Sequence, residues 1–220
     1  MNKPNHQEIV DKTAEFVRGK MEGEASGHDW WHVYRVWKTA THIGKEEKAD
    51  LFLVELAALL HDIADWKFND GDLTAGARVA REWLEKQGVD EKVIAEVCHV
   101  VENVSYKGAG EKNSMQSEAG KIVQDADRLD ALGAIGIGRV FAYTGNKNRP
   151  LHDPHTKSKL HTTQEEYFNN TSPAIHHFHE KLLLLKDRMN TKTARKIAEK
   201  RHEFMEEYLE RFHKEWEGEQ

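Results

Sequence analysis

Apolar positions recur every three to four residues through most of the chain, the spacing of helices that bury one face. Ile9, Val10, Ala14, Phe16 and Val17, set among charges, predict an amphipathic helix over His6 to Met21. Glycines and a serine between Glu22 and Gly27 interrupt it. A second helix starts at Asp29, a suitable N-cap, and puts His32, Val36 and Ile43 on one face before ending near Gly44. Lys45 to Asp50 reads as a charged linker. From Leu51 the apolar run is denser, and Val54, Ala57 and His61 share a face, so His61-Asp62 extends an otherwise apolar stripe. Further helices are predicted over Thr74 to Gln87 with Gly88 stopping it, from Asp90 to about Asn103, from Ser114 to Asp130, over Pro173 to Lys186, and over Thr191 to Trp216. The stripe Ala119, Val123, Ala126 runs directly into Asp127 and Asp130. Trp66 to Asp72, Ser105 to Asn113 and Thr144 to Thr163 read as loops. Gly133, Gly136 and Gly138 follow no strand, so they read as close helix packing and not as a phosphate loop. No strand pattern and no repeat is visible. The expectation is an all-α fold, one domain over residues 1–220 with a helical extension from about residue 173.

Composition narrows the function classes. A chain of 220 residues can bury a sizeable core. A net charge of -6 gives no electrostatic case for nucleic acid, whose backbone needs a basic surface. A small anionic substrate stays open if local Lys and Arg outweigh that balance. Cys98 is the one cysteine, which excludes internal disulfides and cysteine-based zinc clusters. The opening Met1 to Asp11 lacks a signal-peptide core, and no apolar run reaches membrane-spanning length. A cytoplasmic protein with no membrane partner is expected, and a homodimer is among the assemblies the sequence permits.

Fourteen histidines prompt a search for ligands. A buried imidazole beside a buried carboxylate is costly unless something pairs with it. For a lone His-Asp dipeptide the simpler reading is a structural hydrogen bond at a helix end. However, His32, His61, Asp62 and Asp127 all lie on otherwise apolar helix faces, and imidazole nitrogen and carboxylate oxygen both suit a divalent metal. Four such residues favour the metal. His176-His177-Phe178-His179 has no carboxylate or cysteine at helical spacing and reads as solvated helix surface. His152, His155 and His161 fall in the long loop, and Trp30, Trp31, Trp37 and Trp66 read as core, although Trp66, close to His61-Asp62, could instead stack on a base.

The same residues carry a resemblance. His32, the His61-Asp62 pair and the distant Asp127 are similar to the H…HD…D signature of the HD superfamily of metal-dependent phosphohydrolases. The segments 28–36, 61–65 and 122–136 resemble in particular its small bacterial branch related to the Bacillus-type nucleotide pyrophosphohydrolase. The resemblance implies an all-helical fold, a divalent cation such as manganese, magnesium, cobalt or nickel, and hydrolysis of a nucleotide or similar small phosphate ester or anhydride by a metal-activated water. One departure stands out: Val104-Ser105-Tyr106 occupies the place where similar proteins carry His-Ser-Phe. His99, a helical turn earlier, reads better as an exposed helix residue than as a substitute, so a single metal is expected.

With His32, His61, Asp62 and Asp127 as ligands, Asp65 lies a helical turn away and is the candidate base or water-orienting group. Arg35, Lys67, Lys107 and Arg128 are candidates to neutralise phosphate charge, and Asp130, three residues from Asp127, could orient Arg35 or Arg128. The rival functions are a non-catalytic nucleotide-binding or sensor protein and an HD-fold di-iron oxygenase. The oxygenase would need more histidine ligands than the sequence places.

Overall fold

The structure, a computed structural model, describes residues 5–21, 29–63, 72, 74–104, 115–160 and 170–219. These residues hold nine α-helices and no strand, so the fold is all-α. They gather into two compact units, one made of residues up to 104 with 115–127, the other of residues from 128 onward.

The first unit contains α1 (His6–Met21), α2 (Trp30–Glu47), α3 (Leu51–Leu60), α4 (Ala75–Lys86), α5 (Glu91–Asn103) and most of α6 (Glu118–Asp130). Its centre is α3, which packs against α1, α2 and α5, while α4 packs on α5. Val54, Leu56, Ala57, Ala58, Leu59 and Leu60 are all fully buried, which is why the sequence here is almost continuously apolar. Asp50 caps the start of α3, accepting from the backbone N–H groups of Phe52 and Leu53. Two polar contacts fasten α2 to α3: Trp37 Nε1 donates to Glu55 at 3.1 Å and Thr41 Oγ1 to the same oxygen at 3.3 Å.

The helix α2 runs past its predicted end at Gly44 and closes at Lys48, whose φ is 63°. Gly44 is a contact point here and not a stop, since a Cβ on it would lie 3.0 Å from Leu51 Cδ2. Conversely, α6 begins at Glu118, later than the predicted Ser114, because Ser117 Oγ accepts from Gly120 N at 3.0 Å and caps it.

The second unit contains the last turn of α6, α7 (Gly133–Asn146), α8 (Ala174–Glu180), two 3₁₀ turns (Leu182–Leu184 and Lys186–Arg188) and α9 (Lys192–Trp216). The predicted helix to Lys186 thus ends early. Lys181 leaves helical geometry (φ −142°, ψ −57°), and Leu182 and Leu185, three apart, both turn inward, a period that suits a 3₁₀ turn. Of the glycines after α6, Gly133 has φ +69° and leaves room for the stem of Arg201 on α9, whose Cγ would be 3.0 Å from a Cβ. Gly136 is needed for a different contact, with the carbonyl oxygen of Ala131 directly below it.

Candidate metal centre

Three chain segments of the first unit bring four side chains together. His32 is the third residue of α2, and its position starts with a cap: Asp29 Oδ1 accepts from the backbone N–H of His32 itself at 2.8 Å. Val33, Val36 and Ile43 on the same helix are fully buried and turn the His32 ring inward, where its side chain is 1% exposed. His61 is the C-cap of α3 and Asp62 follows it in the turn. Asp127 comes from α6.

His32 Nε2 lies 3.4 Å from Asp62 Oδ2 and 3.5 Å from Asp127 Oδ1, and His61 Nε2 lies 3.5 Å from Asp62 Oδ2. These separations exceed the roughly 2.7–3.2 Å of an N–H···O hydrogen bond, so the purely structural His–Asp pair is a poor description. The His32 and His61 rings stand 5.3 Å apart at 65° to one another. One donor atom from each of His32, His61 and Asp127 falls within a 4.8 Å span. Donors about 2.1 Å from one ion are separated by about 3.0 Å at right angles and about 4.2 Å when opposite; the 3.4 and 3.5 Å separations fall inside that range, and donors as far apart as 4.8 Å would close on one ion by moving a few tenths of an ångström.

The tautomer of His61 supports the same fit. Its Nδ1 is 2.8 Å from the carbonyl oxygen of Ala58, and a carbonyl can only accept, so Nδ1 carries the proton. Neutral His61 therefore has its lone pair on Nε2, which is buried and makes no hydrogen bond. A carbonyl fixing one imidazole nitrogen so that the other can ligate is the usual support for a metal-bound histidine. The donor set is two neutral nitrogens and two carboxylates, whose charge a divalent ion would offset at the C-terminal end of α3, where the helix dipole also favours a cation. Asp127, with 29% of its side chain exposed, marks the open side, and Asp62 is 12% exposed.

The other predicted site residues are placed as follows. Arg35 lies one turn along α2 from His32 and is half-buried. Arg128 is buried and donates to the carbonyl of Arg188, and Asp130 is buried and accepts from Arg139. Arg201 donates to the carbonyl of Leu129, so every residue from 128 to 130 has a partner inside the second unit. Asp65, Lys67 and Lys107 lie outside the described residues, as do Trp66 and His161. His99 is exposed, with its carbonyl accepting from Asn103, and Val104 is buried with its carbonyl taken by Gln124.

Two readings of the sequence change. Trp31 is 58% exposed and not core, whereas Trp37 is buried. His176 and Phe178 are buried while His177 is half-buried and His179 exposed, so only one side of the 176–179 segment is solvated. Sequence reasoning also passed over Asp125, a carboxylate with no exposed surface two residues before Asp127. No stripe could reveal it, because residues 122–126 of α6 are buried on all sides.

Comparison with known proteins agrees with this geometry. Residues 30–132 match the family model described as HD domain. The chain is 40% identical over 205 residues to the uncharacterized protein YpgQ of Bacillus subtilis (strain 168), covering 92% of this chain and 91% of that one. It is similar to the crystal structure of an HD-superfamily hydrolase from Bacillus thuringiensis, with 43% identity, a TM-score of 0.76, and coverage of 97% and 99%. It is also similar to the crystal structure of Bacillus subtilis YpgQ in complex with ADP, with 36% identity, a TM-score of 0.77, and 96% of each chain covered.

Proposed function

The chain belongs to the HD domain family, and from that premise we propose that it is a metal-dependent phosphohydrolase acting on a nucleotide or a similar small phosphate ester or anhydride. The observation that carries this reading is the inward convergence of His32, His61, Asp62 and Asp127, with His61 locked in the tautomer that presents Nε2. The nucleotide class is supported by the ADP bound to the similar YpgQ.

A divalent ion held by these four residues would polarise a phosphoryl oxygen and lower the pKa of water near it. The chain's own contribution is positioning and charge. Buried His32 and His61 exclude water from one side, and the more exposed Asp127 leaves the approach for substrate on the other. Arg35, held by the same helix as His32, supplies a guanidinium suited to phosphate oxygens. Lys67 and Lys107 are assigned the same task, and Asp65 the orientation or deprotonation of the attacking water. Arg128 and Asp130 contribute through the end of α6: their bonds to Arg188 and Arg139 hold the helix turn that follows Asp127.

The test is a panel of nucleoside di- and triphosphates and simple phosphate esters on the manganese-loaded chain, with phosphate and pyrophosphate release measured separately. Turnover that disappears in Asp62→Ala, with helical content retained, is expected. Tight nucleotide binding without turnover would replace the enzyme by a sensor.

A further inference from the structure

In the second unit, α9 carries its charges in an order that the helix itself does not favour. From Lys192 to Arg201 it holds five cations against the single acid Glu199. From Glu203 to Trp216 it holds five acids against Arg211 and Lys214. A helix dipole favours acids near the N-terminus and cations near the C-terminus, yet no acid lies in the first turn here. The order therefore serves something other than the isolated helix. Phe204 sits midway between Lys192 and Trp216 and is 48% exposed. The helix buries Ala194, Ala198, Met205 and Leu209 in its own unit. Beside that buried side runs a second stripe at helical spacing, Ile197, Lys200, Phe204, Glu207, Tyr208 and Arg211, in which half-buried Ile197 and Tyr208 flank the exposed Phe204 ring.

We propose that this stripe is an interface for a second copy of the chain, whose α9 lies antiparallel across it with the two-fold axis beside Phe204. Three observations carry it. First, the two halves of α9 are complementary in charge. An antiparallel pair lays the cationic half of each copy on the acidic half of the other, which is the self-complementarity a two-fold axis demands, while a parallel pair would set like on like. Lys200, four residues before Phe204, and Glu207, three after it, share one flank of the stripe, so each Lys200 faces the second copy's Glu207. Second, these charges are available. Lys192, Lys196, Lys200 and Glu203 are exposed and form no ion pair with a described residue. Arg195 and Arg201, by contrast, donate to the carbonyls of Met189, Asn190 and Leu129, so the lysines carry the outward charge. Within the acidic half, Glu207 pairs with Arg211 at 3.3 Å and Glu210 with Lys214 at 2.5 Å, both exposed pairs one turn apart that hold their partners weakly. Third, Phe204 at the axis meets its own copy, an aromatic anchor at the centre of a charged rim. The 25 residues of α9 span about 37 Å, a face at the small end of stable interfaces, so association falls in the micromolar range and weakens with salt.

The test measures the mass of the full chain by sedimentation equilibrium, from micromolar to submillimolar concentration, at low and high salt. A dimer is expected at low salt, with a dissociation constant that rises as salt is added. Phe204→Glu sets two acids at the axis and should raise that constant by about thirtyfold or more, the scale of losing a central aromatic anchor, with helical content unchanged. Lys200→Glu and Glu207→Lys should each weaken the dimer, and the two together should restore it, because the exchange only swaps the signs across the axis. A wild-type chain that is monomeric at every concentration would overturn the proposal and leave the stripe to a different partner. A dimer whose dissociation constant Phe204→Glu does not change would overturn it by placing the contact on another face. An exchange variant that stays as weak as its parents would overturn the antiparallel order. None of these measurements reads metal or substrate, so failure here says nothing against the His32 centre.

Discussion

The two nitrogens of His61 have different tasks: Nδ1 is committed to the Ala58 carbonyl, and Nε2 is buried facing carboxylate oxygen. Under the proposed assignment the ring is a metal ligand, so His61→Ala should lose its bound metal outright. Arg35 makes a contrasting case, because it sits one turn from His32 without being among the ligands. Arg35→Ala should lower kcat/KM by roughly 2–4 kcal/mol in transition-state terms, the scale of losing one preorganised donor, with metal content unchanged. Steady-state kinetics beside metal analysis separates the two effects, and an unchanged kcat/KM would return Arg35 to the role of a surface charge. At this scale the residues that cluster were legible, since His32, His61 and Asp127 each break an apolar stripe. The support was not. The Asp130–Arg139 pair and the Arg128 bond to Arg188 join residues brought together by folding, and sequence spacing carries no sign of them.

Among the elements, caps carry much of the positioning. Asp29→Ala removes the side chain that accepts from His32 N, and a lost N-cap costs about 1 kcal/mol of stability. Metal affinity should fall with it, because the cap and the ligand share a residue; titration of manganese into the variant measures this. Ahead of α4, Asp72 is held down to about pKa 2 by hydrogen bonds from the Thr74 hydroxyl and backbone N–H, then from Arg78. A carboxylate depressed in the folded state stabilises above its unfolded pKa near 3.8, and that stability is lost as pH falls toward 2. The urea midpoint of Asp72→Asn should therefore lie below wild type at pH 5 and converge on it near pH 2. At the start of α7, Gly133→Ala meets both a left-handed φ and the Arg201 stem, and should destabilise by about 1–2 kcal/mol in the same assay. The starts of α2 and α5 could be read from Asp29 and Asp90. The end of α8 could not, because leucines three apart fit a 3₁₀ turn and a helix equally until their buried partners are known.

At the scale of the whole chain, the four-residue cluster lies entirely in the first unit. Periodicity gave the all-α class but no boundary between units, since α6 crosses it without interruption. No helix among the described residues is long and apolar enough to cross a membrane. The claim on which the function rests is that His32, His61, Asp62 and Asp127 hold one divalent ion. Manganese tests it most directly, because carboxylate donors such as Asp62 and Asp127 suit it. Manganese bound per chain, measured after dialysis for the wild type and for Asp127→Ala with its helical content checked, is expected to be one ion in the first and none in the second. Wild-type manganese content in a folded Asp127→Ala chain would contradict the assignment.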